Sequence, residues 1–114
     1  MTDQVAWAID WNATLMDLCD GVSDPMSDGK SILPILFGES LSEEEAGRTL
    51  IWKTGAHQKL GRQSWAAVRK GDWKWVRPPE QSAALYDLGS DPYETTDLSR
   101  QYPEVVEQLE LLAR

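Results

Sequence analysis

Four aspartates, Asp17, Asp20, Asp24 and Asp28, recur at short spacing early in the chain, and carboxylate oxygens are the donors that calcium prefers. An EF-hand loop also needs a central glycine and a closing bidentate glutamate in register, and neither is in place. Cys19 is the only cysteine and His57 the only histidine, so no cysteine cluster or histidine pair is present to cage zinc. No glycine loop of the phosphate-cradling kind occurs, and neither Ser64 nor Ser82 lies in anything like a nucleophile elbow. His57 falls in a polar loop over residues 54–63 that carries two glycines. A histidine so placed is commonly solvated and idle.

Charge is the stronger signal. The net charge is −8, but residues 1–47 hold ten acids against Lys30, whereas residues 48–78 hold eight bases against Asp72. The basic island also contains four of the six tryptophans: Trp52, Trp65, Trp73 and Trp75. Two readings stand for it. Strands can alternate buried aromatics with solvated bases, or bases and indoles together can form a surface for an anionic ligand, such as a sulfated sugar or nucleic acid.

A chain of 114 residues is one domain's worth, or part of a larger one, with a modest core. No apolar run approaches the roughly 20 residues that span a bilayer. Met1-Thr2-Asp3-Gln4 lacks the basic start and apolar stretch of a signal peptide. With one cysteine no internal disulfide forms, and the compartment stays open.

The elements that must position these side chains are clearest from Trp65 to Leu88. Two short strands flank Lys70-Gly71-Asp72, where Gly71 accepts the positive φ of a hairpin turn. Ala84-Leu85-Tyr86-Asp87-Leu88 reads as a further strand, and Gly89-Ser90-Asp91-Pro92 as a turn. Arg48 to Lys53 alternates as a strand, with Leu50 and Trp52 on one face. The tail reads as a helix with Pro103 at its first position and an apolar stripe of Val105, Val106, Leu109, Leu112 and Ala113.

Earlier, Asp10 is placed to cap a helix from Trp11 to Cys19, with Trp11, Leu15, Leu18 and Cys19 on one buried face and Gly21 as a left-handed stop. Ser31 is placed to cap a single turn containing Pro34 and ended by Gly38, pinned by Ile32, Leu33, Leu36 and Phe37. Residues 20–31 form a surface loop, and Glu43-Glu44-Glu45 a solvated face.

Three motifs in this order resemble the carboxyl-terminal portion of sulfatases of the arylsulfatase type. They are Ala67-Val68-Arg69 with Gly71-Asp72-Trp73-Lys74, then Leu85-Tyr86-Asp87-Leu88, then Asp91-Pro92, Glu94 and Asp97-Leu98. Asp28-Gly29 with Ser31 to Gly38 is similar to a second family stretch, and Asp10 and Thr14 to a third, in which Ala13 replaces the usual proline. The likeness runs from Asp10 onward and is densest over residues 66–106.

The resemblance implies an α+β fold: a small antiparallel sheet of three to four strands packed against a C-terminal helix, preceded by a helix belonging to the α/β core. It implies residues 1–47 as the end of that α/β domain and residues 48–114 as the sheet-and-helix subdomain. The parent activity implied is hydrolysis of sulfate esters by a formylglycine nucleophile matured from Cys/Ser-x-Pro-x-Arg, with calcium held by acids and an asparagine. None of that machinery maps here, since Cys19 is followed by Asp20-Gly21-Val22-Ser23. No catalytic, cofactor or metal residue is therefore expected in this segment, and His57 is the one residue expected to line the substrate cleft. The expected partners are the remainder of the sulfatase domain and a small-molecule or glycan sulfate ester, with no nucleic acid and no membrane span. A periplasmic or secreted full-length protein is compatible. The alternative is a stand-alone module binding anionic ligands through the basic tryptophan-rich sheet, and a phosphate-ester hydrolase tail is the third reading.

Overall fold

The computed structural model describes residues 5–22, 25–42, 47–54 and 65–114. Two compact units divide the chain, Met1–Arg48 and Thr49–Arg114.

In the second unit, β1 (Thr49–Lys53), β2 (Ala66–Lys70), β3 (Trp73–Arg77) and β4 (Ala84–Asp87) form an antiparallel sheet in chain order. The β2–β3 hairpin pairs Val68 with Trp75 and Arg69 with Lys74. Its turn has φ of 59° at Gly71, the left-handed first position that a type II′ turn requires and that glycine occupies without strain. The helix at the C-terminus, Pro103–Ala113, is called α3 here. Proline at its start gives up an N–H that no helix could have bonded.

Alternation along the strands sends Ala66, Val68, Trp75 and Leu85 to one face, where Leu109 and Ala113 of α3 join them in the core. Trp75, Val68 and Leu85 are fully buried. Trp73, Leu98, Val105 and Val106 pack around that cluster, and Trp73 meets Tyr102 with ring centroids 5.1 Å apart. The apolar stripe of the tail helix is narrower than its sequence suggests, because Leu112 stays 41% exposed.

The outer edge of β4 is closed by the chain that follows it. Leu98 N–H donates to Leu85 O at 2.8 Å, and Leu85 N–H donates to Asp97 Oδ1 at 3.0 Å. Among the described residues, β1 has β2 as its only strand partner.

In the first unit, α1 spans Asp10–Leu18 and the single turn α2 spans Leu33–Leu36. Both end in the same six-to-one arrangement. Gly21 N–H reaches Met16 O with Asp20 N–H on Asp17 O, and Glu39 N–H reaches Pro34 O with Gly38 N–H on Ile35 O. Gly38 takes the left-handed position after α2, as its place in the sequence suggests. After α1 the left-handed residue is Asp20, at φ 54°, and not Gly21. Aspartate tolerates that region better than most residues, which leaves Gly21 to supply the closing N–H.

Two expectations for α1 are corrected. Asp10 does not cap the helix, which has no side-chain cap at its N-terminus. The apolar face is not covered either: Trp11 is 51% exposed and Leu15 and Leu18 are each 55% exposed, and Cys19 is exposed too. The buried residues of α1 are the polar ones, Asp10 and Thr14. Of the four residues expected to pin α2, Ile32 is buried, Leu33 is half-buried, and Leu36 and Phe37 are 54% and 70% exposed. The acids at 43–45 lie outside the described residues.

Candidate functional site

Asp10 and Thr14 are buried because they are the knot of the first unit. The Asp10 carboxylate accepts from Trp7 N–H at 2.6 Å, from Lys30 N–H at 2.9 Å and from Arg48 Nη1 at 3.0 Å, with Arg48 Nη2 on its second oxygen. Thr14 Oγ1 donates to Asp10 O at 2.6 Å and accepts from Ile32 N–H at 2.9 Å. Burial pushes the Asp10 carboxyl up, but the Arg48 fork and the two backbone N–H donors outweigh it and hold the carboxyl below its ordinary value. Every lone-pair direction of this carboxylate is used internally, so the group is a fastener and has no proton to exchange with a substrate.

Beside the knot, Asp17, Lys30, Ser27 and Ser31 border a polar recess of about 320 Å³. Ser31 Oγ donates to Asp17 Oδ2 at 2.7 Å, and Leu33 N–H donates to Ser31 Oγ at 3.3 Å. These bonds engage the Asp17 carboxylate and the Ser31 hydroxyl within the chain. Of the four spaced aspartates, Asp24 lies outside the described residues, and no group of three or more His, Cys, Asp or Glu able to hold a metal occurs among the described ones.

The second unit has the more open feature. On the sheet face away from α3, the strand registers set Leu50, Arg69, Lys74 and Tyr86 side by side. Arg69 and Lys74 are directly opposed cations, an arrangement that costs stability unless something neutralises one of them. Glu94 does so for Lys74 through an ion pair. Trp52, Arg69, Lys74, Leu88, Pro92 and Glu94 line a groove of about 370 Å³. Arg69 Nε donates to Gly71 O at 3.3 Å, and among the described residues Arg69 has no carboxylate partner. Tyr86, alongside, has its hydroxyl pushed to higher pKa by burial first and then by the charges of Asp97, Glu94 and Asp91.

The basic tryptophan island is therefore divided. Lys53, Lys70 and Arg77 share the face of α3, where Lys53 Nζ donates to Arg114 O at 2.9 Å and the Arg77 guanidinium lies 5.6 Å from the centroid of the Trp75 ring. Trp75 belongs to the core, while Trp52 and Trp65 are 37% and 42% exposed. His57, the expected cleft residue, lies outside the described residues. The Asp10–Arg48 and Lys74–Glu94 pairs were invisible in the sequence. They join residues 38 and 20 positions apart, and only the acid-rich setting of Arg48 hints at either.

No family model matches the chain. An N-acetylgalactosamine-6-O-sulfatase of Bacteroides thetaiotaomicron is 34% identical over 58 residues, covering 38% of this chain and 11% of that protein. The structure of a 2-O GAG sulfatase superposes with a TM-score of 0.65 at 21% identity, over 87% of this chain and 22% of that one. The chain is thus similar in sequence to a stretch of one sulfatase and in fold to part of another. Phosphonate monoester hydrolase of Agrobacterium radiobacter gives a TM-score of 0.67 at 24% identity, over 97% of this chain and 25% of that one. The α+β architecture expected from the sequence, with its four-stranded sheet and packed terminal helix, is the one observed. The chain spans 11% of the curated relative and 22% and 25% of the two structures. No helix among the described residues is long and apolar enough to cross a membrane.

Proposed function

We propose that this sulfatase-like chain is the carboxyl-terminal portion of a sulfate-ester hydrolase, which completes the fold and forms one wall of the substrate cleft without carrying the catalytic centre. In this reading residues 1–47 end the α/β domain and residues 48–114 are the accessory sheet and helix. The observation that carries it is the uncovered face of α1. Trp11, Leu15 and Leu18 stand more than half exposed, in a chain whose fold matches about a quarter of a hydrolase. The remainder of the hydrolase domain is the partner that would cover them.

The residues present do not fit the family's reactive groups. Cys19 follows the last turn of α1 and precedes Asp20-Gly21-Val22-Ser23, which is not a maturation motif for formylglycine. The described acids form no metal cage. In this reading formylglycine and calcium belong to the remainder of the enzyme. His57, in the connection between β1 and β2, is proposed to line the cleft. The proposed substrate is the sulfate ester of a sugar, by analogy with the N-acetylgalactosamine-6-O-sulfatase.

The polyanion-module reading has less support, because Trp75 is committed to the core and the bases are split between two faces. The test is to express the chain alone and as an in-frame extension of its coding sequence, and to assay both with 4-nitrophenyl sulfate and the matching phosphonate monoester. Turnover of the sulfate by the extended protein only, with His57→Ala raising KM more than it lowers kcat, is expected. Metal-dependent turnover by the 114-residue chain itself would overturn the assignment. Preference of the extended protein for the phosphonate would overturn the choice of ester.

A further inference from the structure

We infer that the polar recess beside the Asp10 knot is a binding site for a small zwitterion, a primary ammonium and one carboxylate on a short chain, as in a free amino acid. Opposite charges border the recess without neutralising each other. Asp17 and Lys30 both line it, yet among the described residues neither enters an ion pair. Asp17 gives Oδ2 to the Ser31 hydroxyl at 2.7 Å, and Oδ1 is left to accept from an ammonium. Ser27 Oγ accepts from Gly29 N–H at 3.2 Å and keeps its own proton to donate to a carboxylate.

The walls are fixed before a ligand arrives. Lys30 N–H is held by Asp10 Oδ1 and Ile32 N–H by Thr14 Oγ1, so the segment carrying Ser31 is fastened to α1 on both sides of that serine. Gly29 lies so close to Ile9 O that no side chain would fit between them. A recess held in this way loses little ordering entropy on binding. Its volume of about 320 Å³ is at the small end of ligand pockets and has room for an amino acid of a few carbons.

Charge selects the ligand class. Lys30 is the one base among residues 1–47, against ten acids. A simple anion would enter against that field, whereas a zwitterion adds no net charge and engages both partners. Because Asp17 and Lys30 do not pair, the charges of the ligand must span the gap between them. The length of its chain is therefore the specificity determinant.

The site does not depend on the hydrolase reading, since binding is measured without turnover. Glycine, β-alanine, 4-aminobutyrate and 6-aminohexanoate are titrated into the 114-residue chain, with butylamine and butyrate as singly charged controls. The amide signals of Ser31 and Leu33 are followed by NMR, because Leu33 N–H donates to Ser31 Oγ on the rim of the recess. A saturable shift is expected for one length or two neighbouring lengths of the series. Binding should weaken about fivefold in Lys30→Gln and in Asp17→Asn, and should weaken as salt rises. Lys30→Gln keeps the backbone N–H on Asp10 and Asp17→Asn keeps an oxygen for Ser31, so the Ile32 amide of the knot should hold its signal in both. An equal response to all four lengths, an equal response to butylamine or butyrate, no saturable response, or undiminished binding by either variant would each overturn the site.

Discussion

Asp10 shows how a single side chain can organise a unit that has little apolar core of its own. A fully buried carboxylate is tolerable only if every oxygen is engaged, and here Arg48, Lys30 N–H and Trp7 N–H engage both. Asp10→Ala leaves the Arg48 guanidinium buried and unpaired, so it should destabilise the first unit by roughly 3–5 kcal/mol. Hydrogen exchange at Lys30 and Ile32 N–H is the readout, because both donate into the knot. Its folded pKa is depressed below the ordinary 3.8. The contribution is therefore whole above that value and disappears as pH falls through the lower, folded value. The stability gap between the parent chain and Asp10→Asn, measured by urea unfolding, should close in that acid window and stay constant from pH 5 to 7. Glu94 offers a second comparison. It sits at φ 55° while pairing with Lys74, so two opposing effects share one residue. Glu94→Gln loses the charge and keeps the strain, whereas Glu94→Gly loses the charge and relieves the strain. The glycine variant should unfold at a higher urea concentration than the glutamine one.

At the level of elements, legibility followed locality. Gly71, Gly38 and Pro103 act through their own backbone, and each marks the turn or helix end that its type implies. Strand alternation from Ala66 to Arg77 survives because the core face and the helix α3 that covers it are both made within the chain. The helix α1 was misread for the opposite reason. Its stripe of Trp11, Leu15 and Leu18 is genuine as a pattern, but a pattern says which side is apolar and not what lies against it. Asp10 looked like a cap because its partner Arg48 is remote in sequence. The groove was half legible: the clustering of bases and indoles was plain, while the pairing of Arg69 with Lys74 and the role of Glu94 required the register. The terminal helix gives the cleanest test of burial. Leu109 is 3% exposed and touches the core, and Leu112 is 41% exposed. Leu109→Ala should cost roughly 2–5 kcal/mol and Leu112→Ala less than about 1 kcal/mol, both read from denaturant midpoints.

Across the whole molecule, the exposed apolar face of α1 is expected to make the folded chain self-associate without making it unstable. Changing Trp11, Leu15 and Leu18 together to serine should leave the urea midpoint of the second unit unmoved and should abolish self-association in sedimentation velocity. Loss of the cooperative transition would mean that those side chains are packed within the chain. The sheet carries a different hazard. Asp97 and Leu98 occupy the outward hydrogen-bonding groups of Leu85 in β4, so among the described residues the β1 side is the edge that can recruit another strand. Two molecules that zip together along β1 form a continuous eight-strand ribbon whose ends are both sealed, and no third can be added. Misassembly by this route halts at a pair, so the fold has a built-in brake on fibril growth.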